Sequence, residues 1–119
     1  MHIVVFILLI TLFLLHEMDA IRAKEWKMFI FLQDLKEEIA YFVFSIIHLP
    51  LYFLILFFLF RVRENDTFLI IFDVLMVAHT VVHICFRKHP DNGFHPFYSK
   101  AIIYMMGILS VIHIAMVLL

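Results

Sequence analysis

Apolar residues gather into four runs along the chain, separated by short stretches that hold most of the charge. The runs cover about residues 2–20, 38–60, 67–87 and 98–118. Each is apolar around most of a helical circumference, as a helix facing lipid must be. The many β-branched and aromatic residues would favour strands in water. In lipid, however, backbone N–H and C=O groups must pair within their own segment, and the runs are too long for barrel strands. The pattern predicts an all-α fold, an integral membrane four-helix bundle, as one transmembrane domain over residues 1–119.

The first run is the shortest. Ile3 to Leu15 is apolar apart from Thr11, and His16, Glu17 and Asp19 follow within HEMDAIRAKEW. About 13 apolar residues make about 20 Å of helix, against a bilayer core of about 30 Å. To span, this helix must draw the His/Glu/Asp cluster to the membrane edge or inside it, where ionisable groups need a partner or a function. The segment has the apolar core of a signal peptide but neither a basic start nor small residues after it, so it is expected to be a retained transmembrane helix.

Local signals mark the other boundaries. Asp34 with Glu37 three residues on approaches a capping box before the second helix, and Asn65, Asp66 and Thr67 offer an N-cap for the third. Pro90 ends the third helix, Asp91-Asn92-Gly93 is a turn, and Pro96 suits the start of the fourth. The stretch WKMFIFL reads as a short interfacial helix after the first transmembrane helix, with Trp26 as its anchor.

Composition sharpens this picture. Hydrophobic residues make up 66 %, mean hydropathy is +1.07 and there are 15 Phe. So much apolar surface in a small chain needs the bilayer as partner. A net charge of −1 gives no basic character that would suggest nucleic acid. Cys85 is the single cysteine, which excludes an internal disulfide and a multi-cysteine zinc site. Arg22, Lys24, Lys27, Lys36, Arg87, Lys88 and Lys100 lie on one side, against Arg61 and Arg63 on the other. This asymmetry places both long loops in the cytoplasm and both termini outside.

The polar residues inside the runs carry the candidate chemistry. At 1.5 Å per residue, His16, Asp19 and His83 fall near the cytoplasmic face, His48 and His79 near the middle, and Asp73 and His113 near the outer face. Tyr41, Ser45, His48 and Tyr52 form one stripe on the second helix, and Gly107, Ser110 and His113 share a face on the fourth. Pro50 frees the Ile46 carbonyl beside His48 and is expected to kink its helix. His79 and His83 stand at i, i+4, so both rings can reach one ion. With His16 and Asp19 they form a candidate site for a divalent transition metal such as zinc, iron or manganese. Hydrogen bonding of these histidines to neighbouring helices, with no metal, is the alternative. His48 and His79 on different helices are candidate axial ligands for haem b. Asp73 and His113 read as a buried polar pair, either a helix lock or an element of a proton or ion pathway.

The residues His16-Glu17-Met18-Asp19-Ala20 through Glu25-Trp26 resemble a small uncharacterised family of bacterial membrane proteins with an N-terminal His-Glu-x-x-Ala…Glu-Trp stretch. They are distantly similar to the HXXEE family, although positions 19 and 20 here are Asp and Ala. The segment from Pro96 through Gly107 to His113 resembles the last helix of such proteins. The resemblance implies a four-helix membrane fold with histidine and acidic residues at one end, and no activity. The resulting expectation is a small polytopic accessory protein that binds lipid and other membrane proteins or itself. The alternatives are a metal- or haem-dependent membrane enzyme or redox protein, and a proton or ion pathway.

Overall fold

A computed structural model describes residues 1–61 and 65–119. Arg63, counted above in the charge asymmetry, lies outside the described residues. Among the described residues the helices are α1 (His2–Arg22), α2 (Glu37–Leu59), α3 (Asp66–Cys85) and α4 (Phe97–Leu118), with a 3-10 turn, Glu25–Met28, after α1. All four are long and apolar enough to cross a membrane. The long dimension of the molecule is 45 Å, comparable to a bilayer with its headgroup regions at about 40–45 Å.

Three of the helices share one packing rule. Buried positions fall at Phe6, Leu9, Phe13, His16 and Ala20 on α1, and at Ser99, Ile103, Met106, Ser110 and His113 on α4. On α3 they fall at Leu69, Asp73, Met76, Thr80 and His83. Alternating steps of three and four residues keep one seam facing the partner helices. The closest backbone approaches are those of α4 with α1 and with α3. Small residues permit them: a Cβ at Gly107 would stand 2.8 Å from Thr80 Cγ2, while the Thr80 hydroxyl donates to the Ile103 carbonyl at 3.1 Å. By contrast, α2 buries only Ala40, Phe44 and Ile55 and leaves most of its circumference outward.

The chain ends its first helix later, and its third earlier, than the hydrophobic runs predict. α1 continues through the polar cluster to Arg22, and α3 stops at Cys85. His16 and His79 each stand six residues before the end of their helix, about 9 Å along the axis. The expected separation of His16 at the edge from His79 in the middle is therefore corrected: the two lie at one level.

Three further expectations change. The loop after α1 forms a 3-10 turn where the interfacial helix was expected. Trp26 is only 4 % exposed and packs on Tyr41 and Phe44, so it is a buried wedge between the turn and α2. The capping box at Asp34 does not form, since Lys36 precedes α2 without a side-chain cap. Asn65 does cap α3, its Oδ1 accepting the Phe68 N–H at 3.0 Å. Cys85 is exposed.

Gly107→Ala is expected to destabilise the bundle by about 1–3 kcal/mol, because the added methyl overpacks against Thr80. Denaturant unfolding in micelles measures this, and Thr80→Ala in the same chain is expected to restore part of the loss.

Candidate metal centre

His16 projects from the inner face of α1, and His79 and His83 from consecutive turns of α3. The fourth member comes from outside the helices. After Arg22 the chain reverses at Lys24, which adopts a left-handed conformation (φ 51°, ψ 56°). This conformation disfavours a side chain with a Cβ. An ion pair between Lys24 and Glu37 at the start of α2 accompanies the reversal. The next residue, Glu25, is thereby turned back beneath the bundle and buried.

The four side chains converge on one point. His79 Nε2 is 2.8 Å from His16 Nε2 and 3.1 Å from His83 Nε2. Glu25 Oε1 stands 3.5 Å from His83 Nε2 and 3.9 Å from His79 Nε2, and Oε2 is 3.9 Å from His16 Nε2. One ligand atom from each residue fits within 4.8 Å of the others. A tetrahedral ion with ligands at about 2.0–2.1 Å has ligand–ligand edges of about 3.3–3.4 Å, in the middle of these separations.

The donor chemistry also fits a cation. A neutral imidazole Nε2 is one donor or one acceptor. His79 Nε2 faces two other Nε2 atoms, so a single proton or lone pair is shared between two neighbours. A cation at the centre satisfies all three lone pairs together. Burial alone would push the Glu25 carboxyl upward, but contact with His83 and the nearby His79 and His16 outweighs it and holds the group below the usual carboxylate range. Glu25 is therefore an anion at neutral pH, as a ligand must be.

Around the centre, Phe94 stacks on His16 (centroids 5.5 Å apart, 27°) and meets His83 edge-on at 4.6 Å. The loop carrying Phe94 is tied to the end of α1. Arg22 Nη2 donates to the Gly93 carbonyl at 3.0 Å, and a Cβ at Gly93 would lie 2.8 Å from the Ala23 carbonyl oxygen. His16 Nδ1 is buried without a partner.

Of the residues expected at a metal, His16, His79 and His83 come together and Asp19 does not. Its Oδ1 accepts from Arg22 Nε at 2.6 Å, and Glu25 occupies the place expected for it. Nothing in the spacing of Glu25-Trp26 separates a ligand from an interfacial residue; the signal lies in the backbone reversal at Lys24. The proposed haem pair is not brought together as axial ligands. His48 Nδ1 is 2.6 Å from the Phe44 carbonyl and its Nε2 is 3.2 Å from Glu17 Oε2, while His79 Nε2 faces two histidines at distances that leave no room for a porphyrin. Glu17 Oε2 also accepts the Tyr52 hydroxyl at 2.7 Å, so Glu17 turns toward α2 while His16 beside it turns toward α3.

At the other end, Asp73 and His113 do meet. His113 Nδ1 donates to Asp73 Oδ2 at 2.7 Å with both side chains fully buried, and the rings of His2 and Phe6 stack on His113. This pair links α3 to α4. Asp73→Ala would leave His113 buried without its acceptor and is expected to cost about 3–5 kcal/mol in micelle unfolding, with Asp73→Asn costing less. A loss below about 1 kcal/mol for Asp73→Ala would show that the pair does not hold the helices together.

No curated protein and no solved structure matches the chain. A family described as a family of unknown function (DUF6713) matches residues 2–119, and the chain belongs to that family.

Proposed function

We propose that this chain is a small integral membrane protein that binds one divalent transition-metal ion through His16, Glu25, His79 and His83. The observation that carries the reading is the convergence of three Nε2 atoms and a carboxylate from three separate segments within 4.8 Å. Three neutral imidazoles and one carboxylate in a four-coordinate arrangement favour zinc, with iron and manganese as weaker fits. The bundle supplies the membrane anchor. The Asp73–His113 pair acts as a lock between α3 and α4 rather than as an ion pathway. We further place the metal centre at the cytoplasmic edge of the membrane on the strength of the Lys and Arg asymmetry, and take that membrane to be a bacterial inner membrane from the family resemblance alone. An accessory role beside other membrane proteins is compatible with the outward apolar face of α2.

Purified protein is expected to retain close to one zinc per chain by elemental analysis. His83→Ala and Glu25→Ala each remove a ligand and are expected to weaken zinc binding by about tenfold or more in chelator competition, each lost ligand contact being worth more than about 1.4 kcal/mol. Asp19→Ala is expected to leave zinc affinity unchanged. Wild-type protein without bound zinc after zinc loading, or full zinc retention in both ligand variants, would remove the proposal.

Acidification supplies a second check. Glu25 is held below the usual carboxylate range by its histidine neighbours, so it stays charged as the pH falls toward that range. Histidine ligands bind as neutral imidazoles, so zinc lost on acidification while Glu25 is still charged would belong to them. Zinc affinity is expected to fall with pH as protons compete for the three imidazoles, and an affinity independent of pH down to the carboxylate range would contradict histidine ligation. For orientation, a cysteine added after Leu119 in a Cys85→Ser background is expected to label from outside intact cells. Labelling only after permeabilisation would reverse the topology.

A further inference from the structure

A cavity of about 270 Å³ opens beside the metal centre, bounded by His83, Arg87, Lys88, Asn92, His95 and Lys100. We infer that this cavity binds a phosphate-bearing anion and forms the ligand-binding half of the metal centre; the second part of this inference rests on the metal reading above.

Charge is the first argument. No acidic residue lines the cavity. Among the described residues, Arg22 pairs with Asp19 and Lys24 with Glu37, but Arg87, Lys88 and Lys100 form no ion pair. Three cations collected around one concavity without counter-ions make a site for an anion. A divalent ion held by neutral histidines and one carboxylate would add a further net positive charge behind the His83 wall. A multiply charged phosphate matches such a field better than a single carboxylate.

Construction is the second argument. Asn92 fixes the loop from within: its Oδ1 accepts the Phe94 N–H at 2.9 Å and its Nδ2 donates to the Arg87 carbonyl at 2.9 Å. The backbone at Arg87 and the chain leading to His95 are thereby held in place. His83 belongs to both the cavity wall and the histidine cluster, and Phe94 in the same wall packs on it, so a ligand in the cavity lies against the centre and not on a remote surface. The volume is just below the range of about 300–1,000 Å³ that holds drug-sized ligands, which suits a headgroup or a small phosphate. A lipid headgroup and a soluble phosphate offer the same chemistry here.

The test is calorimetric titration of full-length, zinc-loaded protein in maltoside micelles. Inorganic phosphate and short-chain dihexanoyl phosphatidic acid serve as separate probes. Saturable binding of at least one probe is expected, weakened by about tenfold or more in the Arg87→Gln, Lys100→Gln double variant, which loses two charge-assisted contacts. Lys27→Gln with Lys36→Gln removes the same charge outside the cavity and is expected to change nothing. Tighter binding of phosphate identifies a soluble ligand, and tighter binding of the lipid identifies a headgroup. Should the first double variant fail to fold, Lys88→Gln with His95→Ala is expected to show the same loss. No saturable binding of either probe, or equal weakening by the cavity and control variants, would overturn the inference. Zinc content measured in the same samples separates the two readings. Zinc-free wild type would end the metal reading and the shared centre, while the cavity variants would still decide anion binding.

Discussion

Three imidazoles and a carboxylate meet at one end of the four apolar helices, largely shielded from water, and much of the local structure follows from how they satisfy one another. Unpaired polar groups in hydrocarbon are expensive, and an unpaired carboxylate more so. The chain meets this constraint by bringing α1 and α3 to one level, so that His16 meets His79 and His83. It then reverses at Lys24 through a conformation that is unfavourable for lysine, returning Glu25 to the same point. Trp26 follows Glu25 into the gap beside α2, and Gly93 packs on Ala23 to close the other side.

The same constraint divides the polar residues of α1 between two partners. His16 faces α3, and Glu17 faces His48 and Tyr52 on α2. Consecutive residues lie about 100° apart on a helix of 3.6 residues per turn, so adjacent groups can serve different neighbours. This explains how α2 stays attached while burying few of its own residues. Its link to α1 passes through Glu17 with His48 and Tyr52, and the Phe44 ring packs on Trp26 in the turn that follows α1. Hydrophobic matching alone would leave α2 little reason to prefer the bundle over lipid.

Much of the fold was legible in the sequence because four segments long and apolar enough to cross a bilayer reduce the problem to finding those segments and their inward faces. The four helices, the buried face of Gly107, Ser110 and His113, and the meeting of Asp73 with His113 follow from periodicity and depth, and the Asn65 cap follows from its local side-chain chemistry. The site was legible only in part. His79 was placed too deep because the third helix was drawn two residues too long and the first two too short, enough to misalign His16 and His79 by about 6 Å. Glu25 was missed because its position depends on one left-handed residue that carries no glycine or asparagine signal. Asp19 offered a carboxylate on the same helix as His16, but Arg22 three residues on captures it. Local pairing thus takes the carboxylate nearest in sequence out of the cluster, and the loop supplies another.

The most direct test of the central claim is X-ray absorption at the zinc edge on purified, zinc-loaded protein. The account predicts four light-atom ligands at about 2.0–2.1 Å, with the outer-shell scattering of three imidazoles. A sulfur ligand at about 2.3 Å, or a shell of oxygens without imidazole scattering, would contradict it.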